Sequence, residues 1–352
     1  MKYEQKILIC FNEPTRYYNN YIGKDISDAK DDVDLSEREF LQQIANIKKV
    51  LEKKYIGVET YAVNSDIRAA IKRFLSYSPD VILNFVESVE GNSNLESYVA
   101  GLYELLEIPY TGNNMICLGN CLSKARTKQI LQSHGIRTPK HYIAAVNHIP
   151  TREELSLKFP AILKLAKEDA SIGISEFSVV NDYEALSQRL EYLFSNYKQD
   201  VIIEEYIEGR ELNVAILGDK ILPISEIRFD GLPDNLPKII TYEAKWSPES
   251  VYYKNTVPTC PAPLDDLLKE KIEKMAKEAF DALDCRDYAR VDIRLNAKNI
   301  PYVIEVNPNP DISPDAGFIR SAGTAGISYE EVLYKLTNMA LTRRQYDTQA
   351  AI

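Results

Sequence analysis

Arg290-Val-Asp292-Ile-Arg294 and Tyr302-Val-Ile-Glu305-Val-Asn307 are two short segments in which charged and apolar residues alternate. Successive side chains on a β-strand point to opposite faces. Arg290, Asp292 and Arg294 therefore share one face of the first strand, and Glu305 and Asn307 share one face of the next. Val291, Ile293, Ile304 and Val306 are expected on the core side. Two paired strands would then set acidic oxygens beside an arginine, a donor set that suits Mg²⁺ next to phosphate. The plainer reading is a surface ladder of cross-strand ion pairs. Asn307 runs straight into Pro308-Asn309-Pro310, and a strand that ends in a rigid polar loop suits a ligand site better than a simple turn.

Upstream, Phe159-Pro-Ala-Ile-Leu-Lys164 is an apolar strand with a lysine near its end, followed by Lys167-Glu-Asp-Ala170-Ser171-Ile-Gly173. That lysine is explained if its ammonium meets a phosphate, and small residues, a hydroxyl and a glycine let backbone N–H groups approach phosphate oxygens. An ordinary polar hairpin is the alternative. Neither a Walker G-x-x-x-x-G-K loop nor a Rossmann G-x-G-x-x-G turn is present. Val201-Ile-Ile-Glu204-Glu205-Tyr206-Ile207, continuing to Glu211 and Asn213, could hold an adenine on backbone groups and a ribose on Glu211. Thr241-Tyr-Glu-Ala-Lys245-Trp246 lies in a long stretch, Phe229–Pro263, expected to be irregular, to lack its own core and to act as a lid.

The first third alternates strand and helix: strands at Lys6–Phe11, Val58–Val63 and Asp80–Val86, and helices at Phe40–Leu51, Asp66–Tyr77 and Asn94–Leu106. That order predicts a small parallel sheet. Ser36 and Glu39 have capping-box spacing. A long Tyr-rich loop, Asn12–Leu35, precedes them, and loops of that length are usually functional. One helix, Leu122–Ser133, is expected in the connector. Strands at Ala161–Leu165 and Ile174–Val180 are expected to pair. The residues divide into three lobes, 1–118, 119–207 and 208–340, with a frayed tail from 341 to 352.

The 352 residues are 45% hydrophobic and 27% charged, with a formal net charge of −10. An acidic balance argues against a nucleic acid or an anionic membrane as partner. No run of about 18 apolar residues predicts a membrane span, and the N-terminal segment lacks a signal-peptide pattern. Five cysteines without Cys-x-x-Cys spacing read as reduced, mostly buried thiols of a cytoplasmic protein, with no zinc-site spacing.

Taken in order, these pieces resemble the ATP-grasp superfamily, and within it the D-alanine–D-alanine ligases. The likeness covers roughly residues 78–335. It includes Leu105-Leu-Glu-Ile-Pro-Tyr-Thr-Gly112, Ser123-Lys124-x-x-Thr-Lys128, Gly135-Ile-Arg-Thr-Pro139 and Ala325-Gly-Ile-Ser-Tyr329 besides the segments above. The resemblance implies an α/β ATP-grasp fold in which two α+β lobes sandwich ATP beside a parallel N-terminal domain. It implies a ligase that joins an amino-acid carboxylate to an amine through an acyl phosphate. Lys124 and Lys164 would hold ATP phosphates, with the Ser171 hydroxyl in the phosphate loop. Glu204, Glu205, Tyr206 and Ile207 would line the adenine, and Glu211 would meet the ribose. Lys245 would reach the γ-phosphate. Asp292, Glu305 and Asn307 would hold one or two Mg²⁺, and Arg290 would stabilise the oxyanion. A homodimer acting on small molecules is the further family expectation. A non-catalytic ATP-binding module, or a ligase acting on a peptide terminus, stays open beside it.

Departures from the family pattern gather where substrates are recognised. The N-terminal loop's ammonium-binding glutamate is replaced by Phe11-Asn12-Glu13-Pro14, with Glu13 a candidate in its place. His-Gly after the third strand becomes Glu87-Ser88, which makes Glu87 a second candidate. The first phosphate-loop hydroxyl is Ala170, the aromatic after the lid lysine is Trp246, and Pro-Gly becomes Pro310-Asp311. The serine that helps bind the acceptor's carboxylate aligns with Ala316. A lost charge-assisted hydrogen bond costs about 1.5–3 kcal/mol, and a like charge repels. D-alanine is therefore expected to be a poor acceptor, with sequence drift in a true D-alanine–D-alanine ligase as the alternative.

Overall fold

The computed structural model describes residues 2–13, 35–168 and 171–350, with side chains outside 35–39 and 344–350. The expected loop therefore lies outside the described residues from 14 to 34, as do Asp169, Ala170 and the capping-pair side chains of Ser36 and Glu39.

The N-terminal layer is a three-stranded parallel sheet in the order β2-β1-β3, built from β1 (Tyr3–Asn12), β2 (Tyr55–Val63) and β3 (Val81–Phe85). Parallel sheets are covered on both faces, and β1 shows how. Ile7, Ile9 and Phe11 pack against Ile44, Ile47 and Leu51 of α1 (Leu35–Glu52). Leu8 and Cys10 face the opposite way, toward Ala70 and Phe74 of α2 (Ile67–Tyr77) and Tyr103 of α3 (Glu96–Leu105). Asp66 starts α2 by accepting a hydrogen bond from the Ala69 N–H at 3.0 Å.

The connector holds two helices where one was expected, α4 (Met115–Leu122) and α5 (Lys124–Ser133). Ser123 separates them because it adopts an extended conformation and caps α5 from its side chain. The second layer is an antiparallel sheet in the order β4-β7-β5-β6, made of β4 (His141–Ala144), β5 (Ala161–Leu165), β6 (Val179–Val180) and β7 (Val201–Glu205). Leu186, Leu190 and Leu193 of α6 (Tyr183–Tyr197) pack on Leu163, Leu165 and Ile203. The strand expected over Ile174–Val180 shrinks to β6. Ser175 and Ser178 form a reciprocal cap that turns Glu176–Ser178 into a 3₁₀ helix.

The third layer is antiparallel, in the order β11-β10-β8-β12-β13, with the short β9 (Lys220–Ile221) beside β8. Its strands are β8 (Gly209–Leu217), β10 (Ser225–Arg228), β11 (Val257–Thr259), β12 (Tyr288–Asn296) and β13 (Pro301–Pro308). Three expectations change here. The stretch 229–263 is not irregular: it carries α7 (Tyr242–Trp246), α8 (Val251–Asn255) and β11. It also has a small core of its own, in which Phe229, Leu232 and Tyr252 pack with Leu236 and Ala244. Finally, the tail continues a helix. After α9 (Asp266–Ala282) and α10 (Gly317–Thr324), α11 runs from Tyr329 to Ala350. Leu333, Leu336 and Ala340 of α11 pack into the core beneath β1, and Arg343 pairs with Asp287 and donates to the Tyr110 carbonyl.

Among the described residues, no helix is long and apolar enough to cross a membrane.

Candidate active site

A cleft of about 310 Å³ opens between the second and third layers. It is lined by Lys124, Lys164, Ser171, Glu204, Glu205, Tyr206, Ile207, Glu211, Lys245, Arg290, Asp292, Glu305 and Asn307. Every nucleotide, metal and catalytic residue expected from the sequence is thus brought to one cavity.

The β12/β13 register explains its floor. Arg290 lies opposite Asn307 and Asp292 opposite Glu305, and then the register shifts so that Ile293 faces Val303. The extra residue is Ile304. A bulge re-aims one side chain, and Ile304 lines the cleft, not the core side where alternation placed it. Val303, fully buried, takes the core position instead.

Asp292 is the hub of this floor. Its Oδ1 accepts from Arg290 Nε at 2.8 Å and from Asn213 Nδ2 at 2.7 Å. Its Oδ2 accepts from Arg290 Nη2 and Asn307 Nδ2, both at 2.9 Å. Burial works against the Arg290 charge, but Asp292, Glu305 and Glu211 outweigh it and raise the guanidinium's pKa. Burial likewise opposes ionisation of Glu305, yet Lys124, Lys164, Arg290 and Lys245 hold its pKa down at about 2. Lys124 Nζ is 3.3 Å from Glu305 Oε1 and donates to the Glu168 carbonyl at 2.6 Å. This ties α5 to the phosphate loop.

A second ionic group sits behind the phosphate loop. Glu204 Oε1 is 2.8 Å from Lys128 Nζ, and Oε2 is 2.9 Å from Lys164 Nζ. Lys128 also donates to Thr138 Oγ1 at 2.9 Å and is only 1% exposed. Burial opposes the Glu204 charge, but two lysines serve it and bring its pKa to about 2. Lys128 has only one carboxylate in direct contact, so burial prevails and its pKa falls. Nearer the outer end, Arg294 donates to Glu211 Oε2 at 3.1 Å, and its guanidinium lies 5.0 Å from the centre of the Tyr206 ring. Burial raises the Glu211 pKa against the pull of Arg294.

Two loops close over this floor. Gly173 has a φ of +73°, and a Cβ there would meet Leu165 at 3.0 Å, so the turn after the phosphate loop needs glycine. Thr241 caps α7 through the Ala244 N–H, and the Tyr242 N–H donates to the Ile174 carbonyl at 3.0 Å. The segment that carries Lys245 is therefore docked on the phosphate loop.

The four candidate substrate residues do not line this cavity. Glu13 is exposed at the end of β1 and accepts from Asn64 Nδ2 at 2.9 Å. Glu87 is exposed just past β3, and Asp311 accepts from the N–H and hydroxyl of Ser313. Trp246 is half-exposed against Tyr242, with ring centres 6.4 Å apart. Trp246 ends α7, and the other three lie at strand ends or in loops, all outside this cavity. One link joins two of them: burial and the charges of Glu87, Asp287, Glu96 and Asp311 all raise the pKa of the buried Tyr288 phenol.

Lys128, Asn213 and Arg320 belong to the site without having been assigned a role from sequence. Lys128 lies one helical turn after Lys124, and Asn213 shares the strand face of Glu211, so both carried a signal. Arg320 reaches the cleft from α10, and no local pattern marks it.

Comparison with known proteins agrees with this geometry. The family profile for the D-ala D-ala ligase C-terminus matches residues 131–338. A D-alanine–D-alanine ligase of Carboxydothermus hydrogenoformans is 30% identical over 88% of this chain and 96% of its own. An uncharacterised protein, y4sG, of Sinorhizobium fredii is 30% identical over 82% of this chain and 84% of its own. The Bacillus anthracis D-alanine–D-alanine ligase complexed with ATP superposes with a TM-score of 0.72 at 26% identity, covering 97% of this chain and 99% of that one. The chain belongs to the D-alanine–D-alanine ligase family and is an ATP-grasp carbon–nitrogen ligase.

Proposed function

We propose that the enzyme activates a carboxylate with ATP and joins it to an amine, other than D-alanine, that carries a second, positively charged group. The observation that carries the ligase chemistry is the convergence of Lys124, Lys164, Lys245 and Arg290 on a floor of Asp292, Glu305 and Asn307. A carboxylate is a poor electrophile, and transfer of the γ-phosphoryl group converts it to an acyl phosphate with a good leaving group. The neutral amine then attacks the acyl carbon, a C–N bond forms, and the C–O bond to phosphate breaks. ADP, inorganic phosphate and the amine's proton are released.

The chain's own groups do the positioning and charge balancing that such transfer requires. Lys124 and Lys164 enter from α5 and β5 to hold phosphate oxygens, and Lys245 comes down from α7. Arg290 is aimed at the oxyanion that develops when the amine attacks. The lid's contact with the phosphate loop keeps water from the acyl phosphate. Glu305, held ionised, with Asp292 and the Asn307 amide oxygen, makes a hard-oxygen set that fits Mg²⁺. Mg²⁺, when bound, would screen the phosphoryl charge.

The acceptor reading rests on Glu87, Glu96 and Asp311, whose charges converge on Tyr288. Asp311 also adds to the burial that raises Tyr329 to about 12. Negative charge beside the acceptor would disfavour an acceptor carboxylate and favour a second ammonium or guanidinium. The test is ATP-dependent phosphate release across amino acids and amines, singly and in pairs, with Lys245→Ala as control. Release that requires a cationic amine supports the proposal. Efficient formation of D-alanyl-D-alanine would sink the altered acceptor, and release indifferent to the Lys245 change would sink the ligase assignment of that residue.

A further inference from the structure

A cluster at the seam between the first and third layers takes no part in ligase chemistry. Cys117 and Cys121 are four residues apart on α4, so their side chains leave one face of the helix. Cys285 arrives from the turn between α9 and β12, 168 residues from Cys117. All three Sγ atoms lie within 4.8 Å of one another, and Cys117 Sγ is 3.5 Å from Cys285 Sγ. Linear spacing conceals this grouping, which is why no Cys-x-x-Cys pattern announced it.

The three residues are 0%, 8% and 9% exposed, and they pack among Leu131, Ile136 and Phe280. Buried cysteines often act only as small apolar groups. Packing alone, however, does not require three sulfurs from two separate segments to converge. An ion about 2.3 Å from each sulfur would set the sulfurs about 3.8–4.0 Å apart in tetrahedral or trigonal arrangement, within the range seen here. Asn113 is fully buried beside them, with Oδ1 3.4 Å from Cys117 Sγ and accepting from the Arg286 N–H at 2.7 Å.

We propose that Cys117, Cys121 and Cys285 form a buried three-sulfur site for a thiophilic d¹⁰ metal ion, Cu⁺ or Zn²⁺, that staples α4 to the start of β12. Soft sulfur donors select these ions over Mg²⁺. Cu⁺ is satisfied by three sulfurs, whereas Zn²⁺ takes a fourth donor, for which Asn113 Oδ1 is placed. Binding releases thiol protons to solvent and involves no change of oxidation state. The joint it would brace is already tight: Arg286 Nε donates to the Gly112 carbonyl at 2.8 Å, and Asn113 Nδ2 donates to the Tyr288 carbonyl at 2.8 Å.

The test uses reduced, metal-free, full-length protein under anaerobic conditions, titrated separately with Zn²⁺ and Cu⁺, with Co²⁺ as an optical probe. One ion per chain, a sulfur-to-Co²⁺ charge-transfer band and a raised Tm are expected. Cys121→Ser and Cys285→Ser should each weaken binding by more than about 100-fold, beyond the usual cost of an outer-shell change, while ATP-dependent turnover persists. Saturation by Cu⁺ alone identifies a trigonal site, and saturation by Zn²⁺ with a tetrahedral Co²⁺ spectrum that changes in Asn113→Ala identifies Asn113 as the fourth ligand. If the variants fail to fold, wild-type thiol reactivity decides: loading should protect three of the five cysteines. Absence of stoichiometric binding, binding that survives both substitutions, or unprotected thiols would overturn the site.

Discussion

Arg290 and Asp292 face each other along one side of β12 in a two-point ion pair, Nε to Oδ1 at 2.8 Å and Nη2 to Oδ2 at 2.9 Å. Residues two apart on a strand share a face, so the pair costs no backbone distortion. It holds the guanidinium in plane and directs it into the cleft. A lysine in its place keeps the charge but cannot form the two-point contact. Arg290→Lys is therefore expected to lower kcat by about 10²–10³, the scale of losing one oxyanion donor, with a smaller change in the KM for ATP. Steady-state phosphate release with the identified substrates measures both.

Glu204 joins Lys128 and Lys164, and removing it leaves Lys128 buried without its carboxylate. Breaking one partner of a buried pair costs about 3–5 kcal/mol. Glu204→Gln should lose about that much in urea unfolding. Glu204→Gln with Lys128→Met should recover part of the loss, because no charge is then stranded at Lys128. A Glu204→Gln protein as stable as wild type would mean that Lys128 finds another acceptor.

The same residues predict an acid response. Glu204 and Glu305 have folded-state pKa values near 2, below the ordinary 4.5. A depressed carboxylate stabilises the fold fully above its unfolded pKa, and that contribution is lost as pH falls through the folded value. Stability should therefore decline between about pH 4.5 and pH 2. Glu211 acts in the opposite sense, since burial raises its pKa and protonation relieves the strain of its charge. Thermal melts from pH 6 to pH 2 should show a shallower decline for Glu204→Gln than for wild type.

The alternation of Arg290, Asp292, Glu305 and Asn307 was legible because period-2 patterning is local. The displacement of Ile304 was not, because a bulge is set by how β13 pairs with β12 rather than by the composition of either strand. The lid's core was hidden for a similar reason: Phe229, Leu232 and Tyr252 follow no single period and meet only in three dimensions. Arg343 read as part of a frayed tail because its partner Asp287 lies 56 residues earlier. Lys128 was visible as a motif residue, but its purpose depends on Glu204, a strand and a sheet away. Contacts of this kind decide function without leaving a pattern in adjacent residues.

Asp311 offers the most direct test of the acceptor. It follows Pro310 where the family pattern has glycine, and its carboxylate is held by the Ser313 N–H and hydroxyl. Its backbone φ is not in the left-handed region, so glycine there removes the charge without relieving any strain. Two like charges about 4 Å apart repel by roughly 1–4 kcal/mol between fully hydrated and partly buried settings. Asp311→Gly is therefore expected to raise kcat/KM for D-alanine as acceptor by about 10-fold or more, mostly through KM, and to lower it for a cationic amine. Asp311→Asn should fall between the two, since it removes the charge but keeps a side chain of the same size. Equal use of D-alanine by wild type and both variants would show that Asp311 does not face the acceptor, and the charge-based account of specificity would then fail.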